Sequence, residues 1–172
     1  MNKIYLIILA TMLVLSGCYT HNINAPKSHL VEQNHAAGSF LIKDAGADLN
    51  KAKTIIAASF VNIDNLSHSS SFGRIASQQI ATKFTNAGFN VVEILLSTTL
   101  IVQQQKGEFL LSRELQKISL KQSAQAVIVG TYAVGRNYVY ITSKVIDAIN
   151  SKTIASCDYK IPLDSDIKEL LQ

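Results

Sequence analysis

Charge is scarce in this chain of 172 residues: Asp, Glu, Lys and Arg together make up 16% of it. The 16 basic and 12 acidic side chains leave a formal charge of +4, scattered along the chain with no basic stripe. Nucleic acid is therefore not an expected partner, since phosphate binding concentrates Lys and Arg on one face. Long apolar runs are missing too. The longest, Ile4 to Leu15, is interrupted by Thr11 and falls short of the roughly 20 residues an ordinary membrane-crossing helix needs. Cysteine is limited to Cys18 and Cys157, proline to two residues, and tryptophan is absent. What is present is apolar material, at 48%, enough to bury a core and to exclude a wholly disordered or fibrous chain. The length suits one domain plus a processed or extended segment.

The start of the chain carries an address. Lys3 is the only charged side chain before Lys27, and a short apolar core and small residues follow it, as in a secretory leader. Leu15-Ser16-Gly17-Cys18 then matches a bacterial lipobox, with an apolar residue three before the cysteine and two small residues between. Cleavage is expected between Gly17 and Cys18, with diacylglycerol on the Cys18 thiol and an acyl group on the new amino terminus. Each buried CH₂ of those chains contributes about 0.8 kcal/mol, so three chains hold a protein firmly on a membrane. The competing reading is an ordinary leader with a chance cysteine. Tyr19, where Asp would favour inner-membrane retention, points to the outer membrane. With residues 1–17 removed, 15 basic and 12 acidic side chains remain. Lipidation of Cys18 also leaves Cys157 without an intramolecular disulfide partner, and Cys157 reads as a small buried hydrophobe in a strand.

Residues 18–38 read as the lipidated terminus and a flexible tether, polar and without apolar period, and residues 39–172 as a single domain with its core in about 54–163. His21, His29 and His35 fall in the tether at spacings that match no metal site. A short helix is expected around 40–52. The run at 54–61 reads as a buried strand, 71–87 as a helix with Phe72, Ile75, Ala76, Ile80 and Phe84 on one stripe, and Gly88 as its cap. Further strands are expected at 89–96, 126–134, 138–148 and 153–160, a helix from Ser112 to about Ala124, and a short terminal helix at 164–172. The order predicts an α/β (α+β) domain: a mixed sheet of about five strands, parallel where helices cross over and antiparallel in the last three, with two main helices mostly on one face.

No catalytic, metal or cofactor site emerges. Gly130 and Gly135 have the spacing of a phosphate-binding loop, but Arg136-Asn137 follows where Lys-Ser/Thr belongs, and the segment reads as a strand. His68 sits among Ser67, Ser69, Ser70 and Ser71 without a nucleophile elbow. Asp64, Glu93, Glu108, Glu114, Asp147 and Asp158 are separated, with no pair picked out. Arg74 and Arg113, the latter near Glu108 and Glu114, are candidates for loop-fixing ion pairs or for a solvated face. The exposed sheet edges are the best candidates for partner contact.

Several blocks carry a family resemblance: Ile56-Ala57-Ala58-Ser59-Phe60-Val61-Asn62, Phe72-Gly73-Arg74, Gly88-Phe89-Asn90-Val91-Val92-Glu93, Gly107-Glu108-Phe109-Leu110-Leu111-Ser112-Arg113-Glu114-Leu115, Val129-Gly130-Thr131-Tyr132-Ala133-Val134-Gly135, and Ile146-Asp147-Ala148 with Ala155-Ser156-Cys157-Asp158-Tyr159. In order and spacing the chain resembles the FlgO family of flagellar outer-membrane lipoproteins. The resemblance implies a fold like the N-terminal domain of TolB and the periplasmic domain of the curli secretion lipoprotein. It implies a non-enzymatic, lipid-anchored protein supporting flagellar assembly or stability and motility, its domain facing the periplasm, without cofactor or small-molecule substrate. Expected partners are the membrane through Cys18, flagellar basal-body or other envelope proteins, and further copies of the chain. Two alternatives stand beside it: a binding module for secretion or envelope maintenance, and a hydrolase acting on cell-wall material.

Overall fold

The computed structural model describes residues 29–66, 69–94, 101–103, 109–111 and 113–172. The readings made for Gly17, Cys18, His21, Ser67, His68, Glu108 and Ser112 lie outside these residues, as do the side chains of Arg113 and Glu114.

Helix α1 spans Leu30–Ala45, so residues 30–38 are helical rather than tether, and the helix expected around 40–52 ends at Ala45. Its inward positions are Leu30, Asn34, Ala37, Gly38, Leu41 and Ala45. Asn, Ala and Gly supply four of the six positions of that stripe, which is why no apolar period announces it. Small residues are needed because α1 crosses another helix closely: a Cβ on Gly38 would stand 2.9 Å from the Lys83 Cβ and 3.1 Å from the Ile80 carbonyl oxygen.

Strand β1 (Thr54–Ala58) is followed by a two-residue strand β2 (Val61–Asn62), and helix α2 (Ser71–Asn86) crosses over to β3 (Asn90–Ile94). Phe72, Ala76, Ile80 and Phe84 of α2 are fully buried, as their i, i+4 spacing demands. Ser70 caps the start, its Oγ accepting from the Gly73 N–H. At the other end Gly88 takes φ +87°, and the Phe89 N–H donates back to the Phe84 carbonyl. Strands β4 (Ile101–Gln103) and β5 (Phe109–Leu111) form a separate antiparallel pair, which the polar, Gln-rich sequence there had not suggested. Helix α3 (Arg113–Lys121) leads into the long strands β6 (Ala124–Val134), β7 (Tyr138–Asp147) and β8 (Thr153–Pro162). Helix α4 (Ser165–Leu170) closes the chain, its first turn capped by the Asp164 carboxylate, which accepts from the Ile167 N–H at 2.9 Å.

The sheet order is β3-β1-β6-β7-β8, with β2 extending the β1 side of β6. β1 is parallel to both β3 and β6, while β6, β7 and β8 run antiparallel, as the crossover helices and short turns predict. Phe60, Phe72, Phe84, Leu41 and Ile167 fill the core under α1, α2 and α4. The opposite face joins Ile56, Val127, Val129 and Ile146 to Leu115 of α3. The two long helices thus share one face, but they are α1 and α2; α3 covers part of the other. Each fully buried Leu, Ile or Phe contributes about 1.5–3 kcal/mol.

Candidate interaction surface

The parallel pair β1 and β6 gives the domain two ends: a lower one where both begin and an upper one where both finish. The upper end holds a polar joint. β1 breaks at Ser59 and Phe60, so backbone groups that would pair in a continuous strand need other partners. Helix α2 supplies them. The Phe60 N–H donates to the Gly73 carbonyl at 3.1 Å, the Ser69 hydroxyl to the Phe60 carbonyl at 2.8 Å, and the Ser77 hydroxyl to the Ala58 carbonyl at 2.7 Å. The Tyr132 hydroxyl donates to Ser70 Oγ at 2.8 Å, and its ring meets Phe72 edge-on at 5.3 Å. The Phe60 ring lies on bare backbone, since a Cβ on Gly130 would be 2.6 Å from its atoms. Among the described residues no buried side-chain nitrogen or oxygen lacks a hydrogen-bond partner. The joint's groups are committed to each other, which holds strand to helix.

The lower end holds a cleft of about 510 Å³ between the end of α3, the turn before β1 and the turn after β7. Lys53, Thr54 and Gln125 line it, and Leu120 and Ile149 stand on its rim. Those two are 70% and 80% exposed, the most exposed large apolar side chains described. Gln125 is fixed: its amide nitrogen donates to the Asn50 and Lys53 carbonyls at 2.6 and 3.1 Å, and its oxygen accepts from the Asn50 N–H at 2.8 Å. Asp147 holds the Ile149 turn by accepting from the Ile149 and Asn150 N–H groups at 2.8 and 2.9 Å. The cleft thus pairs a hydrogen-bonded floor at Gln125 with an apolar rim at Leu120 and Ile149.

The residues singled out by sequence do not converge. Gly130 lies inside β6 and Gly135 in the β6–β7 turn, so no phosphate-cradling loop precedes a helix there. Arg74 donates to the Ser69 carbonyl and to Ser71 Oγ, steadying the start of α2. Asp158 accepts from the Thr142 hydroxyl at 2.6 Å, across the strand pair. His29 stands before α1 with Nδ1 2.7 Å from Glu32, and His35 is within α1. Among the described residues no group of three His, Cys, Asp or Glu side chains is placed to hold a metal. Leu120 and Ile149 were not singled out; the available signal was an apolar residue off the Leu115 stripe and another inside an Asn-Ser-Lys turn.

Cys157 and Tyr159 sit on the α1 side of β8. Burial, then the carboxylates of Asp158 and Asp44, push the Cys157 thiol above its ordinary value of 9.0. Burial, then Cys157, pushes the Tyr159 phenol well above its ordinary 10.0. Both groups therefore ionise more readily in the unfolded chain. The contribution of these two groups is expected to be level below pH 9 and to fall as pH rises through 9.0 and then 10.0, where the unfolded chain sheds protons that the fold retains. Denaturation midpoints measured at pH 8 and at pH 10.5 check this. Tyr159→Phe should flatten the upper part of the decline, and iodoacetamide should label Cys157 several-fold more slowly in native protein than in denaturant.

The model of the FlgO protein family matches residues 35–166, from the middle of α1 into α4. No curated protein matches the chain. Among solved structures, the LpoB C-terminal domain from Salmonella enterica superposes with a TM-score of 0.52 at 11% identity, covering 73% of this chain and 93% of that one. The LpoB C-terminal domain from Escherichia coli gives 0.46 at 17% identity, over 77% and 98%. A PelC dodecamer from Paraburkholderia phytofirmans gives 0.47 at 15% identity, over 72% and 85%. The fold is thus shared with the Salmonella LpoB domain although few residues are.

Proposed function

This chain belongs to the FlgO family, and on that footing we propose that it is a non-enzymatic lipoprotein of the outer membrane that supports flagellar assembly or stability. The observation that carries the reading is the family match, which spans the sheet, α2 and all but the first turn or so of α1. The leader and the lipobox ending at Cys18 support the address. The committed hydrogen bonds of the upper joint and the apolar rim of the lower cleft support a binding role over a catalytic one. In this reading Cys18 is the anchor, the residues between it and His29 set the reach, and the domain faces the periplasm.

A strain lacking the gene should spread poorly in soft agar and carry missing or reduced flagella by electron microscopy. The intact gene should restore both. Cys18→Ala should not, and its product should stay uncleaved by the lipoprotein peptidase and leave the outer-membrane fraction. Normal swimming with normal flagella would sink the flagellar role and turn the search to secretion and envelope-maintenance partners. Unlipidated Cys18→Ala protein still fractionating with the outer membrane would sink the anchor.

A further inference from the structure

Seven large apolar side chains are exposed among the described residues, and four lie toward the upper end, on both faces of the sheet: Val31 at 49%, Ile63 at 44%, Val134 at 47% and Tyr140 at 52%. Their grouping follows from topology. Val134 ends β6, and Tyr140 lies opposite Ala133 near the start of β7. The Ile63 N–H donates to the Tyr132 carbonyl, just past β2. Val31 is in the first turn of α1, and Gln125 ties the turn after that helix to the lower end, so α1 begins at the upper one. The Tyr140 ring lies toward the tip of the β6–β7 turn, where a Cβ on Gly135 would be 3.1 Å from it. Lys160 Nζ stands 4.4 Å over the neighbouring Tyr138 ring, and Arg136 is exposed at the tip.

We propose that this upper rim rests on a lipid surface, the one that holds the acyl chains of Cys18, with the β6–β7 turn at the level of the headgroups. The proposal rests on the anchor reading above. The chain enters the domain at this end, at His29. Eleven residues from Cys18 to Ser28 reach at most about 40 Å, while the 16 residues of α1 cover about 24 Å. The tether alone would therefore let either end face the membrane, and the rim decides. Tyrosine, valine and isoleucine at one end of the domain suit the boundary between headgroup and acyl chain, the phenol hydroxyl staying wet. Lys160 and Arg136 extend charge to phosphates. The carboxylates of Glu32, Asp64 and Asp164 share this end, so apolar and aromatic contact, rather than attraction to anionic lipid, supplies the binding. The lower cleft with Leu120 and Ile149 then points away from the lipid, toward a protein partner.

The absence of tryptophan makes the test direct. Lipidated full-length protein carrying Tyr140→Trp, or Ile149→Trp as the opposite end, is reconstituted on vesicles of phosphatidylethanolamine and phosphatidylglycerol. Both positions are exposed, so neither change disturbs the core. The expected result is a blue-shifted Tyr140→Trp emission, quenched several-fold more by brominated lipids than that of Ile149→Trp and little changed by salt. Equal quenching, stronger quenching at Ile149→Trp, or none at either position overturns the orientation. Failure of the anchor reading shows separately, as protein that does not float with the vesicles at all.

Discussion

Gly73→Ala is expected to lower the stability of the domain by about 3 kcal/mol or more. The position lies in the first turn of α2, where alanine would ordinarily favour a helix over glycine by about 1 kcal/mol. Packing reverses the sign. A Cβ there would sit 2.1 Å from the Phe60 carbonyl oxygen and 3.0 Å from its carbon, both backbone atoms. The methyl group cannot be accommodated by a side-chain rotation. Relief requires α2 to lift from the β1–β2 break, which stretches the Phe60 N–H to Gly73 carbonyl bond and disturbs the Ser69 and Ser77 contacts with it. Thermal denaturation checks this: at roughly 3 °C per kcal/mol for a domain of this size, the midpoint should drop by about 10 °C. Gly46→Ala is the control. No atom lies within 4 Å of its added Cβ, so only backbone strain is felt: φ +48° with ψ −122° is a conformation that favours glycine, at about 1–3 kcal/mol for alanine. A Gly73→Ala protein as stable as the unchanged one would show that the helix and strand are not in this contact.

Asn34→Leu should cost a similar amount for a different reason. Asn34 is fully buried between α1, α2 and β8, with its amide nitrogen donating to Gln79 Oε1 at 2.7 Å and its oxygen accepting from the Tyr159 hydroxyl. Leucine fills a comparable volume but strands both partners. A buried polar group left without a hydrogen bond costs about 1–3 kcal/mol, so the loss is about 3 kcal/mol for the pair. The effect is not additive with Tyr159→Phe. The double variant no longer strands a hydroxyl, and should recover about 1 kcal/mol or more relative to the sum of the single changes. Urea denaturation of the four proteins measures that coupling, and strict additivity would mean the Asn34–Tyr159 bond carries little.

These two positions also mark where sequence reasoning ran out. Asn34 looks like a tether residue because it is polar and its neighbours Gln33, His35 and Ala36 are polar or small. Only the arrival of Tyr159 from 125 positions away gives it a partner and draws α1 into the core. Gly73 is legible as part of a family block, but its requirement comes from a strand that breaks opposite it. Leu120 and Ile149 fall at positions that local pattern assigns to solvent, and only the meeting of α3 with two turns makes them the rim of one cleft.

Local chemistry was enough for much else. The buried run of β6, the alternation along β7, the Phe72–Ala76–Ile80–Phe84 stripe and the Gly88 cap depend on neighbours one to four residues away and formed as their patterns demand, while the run at 54–61 formed a strand only to Ala58 and broke at Ser59 and Phe60. The mixed parallel and antiparallel order follows in turn, because helices force crossovers and short turns force hairpins. The expected leader and the lipobox ending at Cys18 are linear patterns, legible without a fold. What required the tertiary structure was everything set by distant residues meeting: α1 as part of the core, its close crossing with α2 at Gly38, α3 on the opposite face, and the placing of exposed apolar side chains at two ends. Periodicity records which side of an element is buried, but not against what, and polar or small residues that pack only through a remote partner leave no period to read.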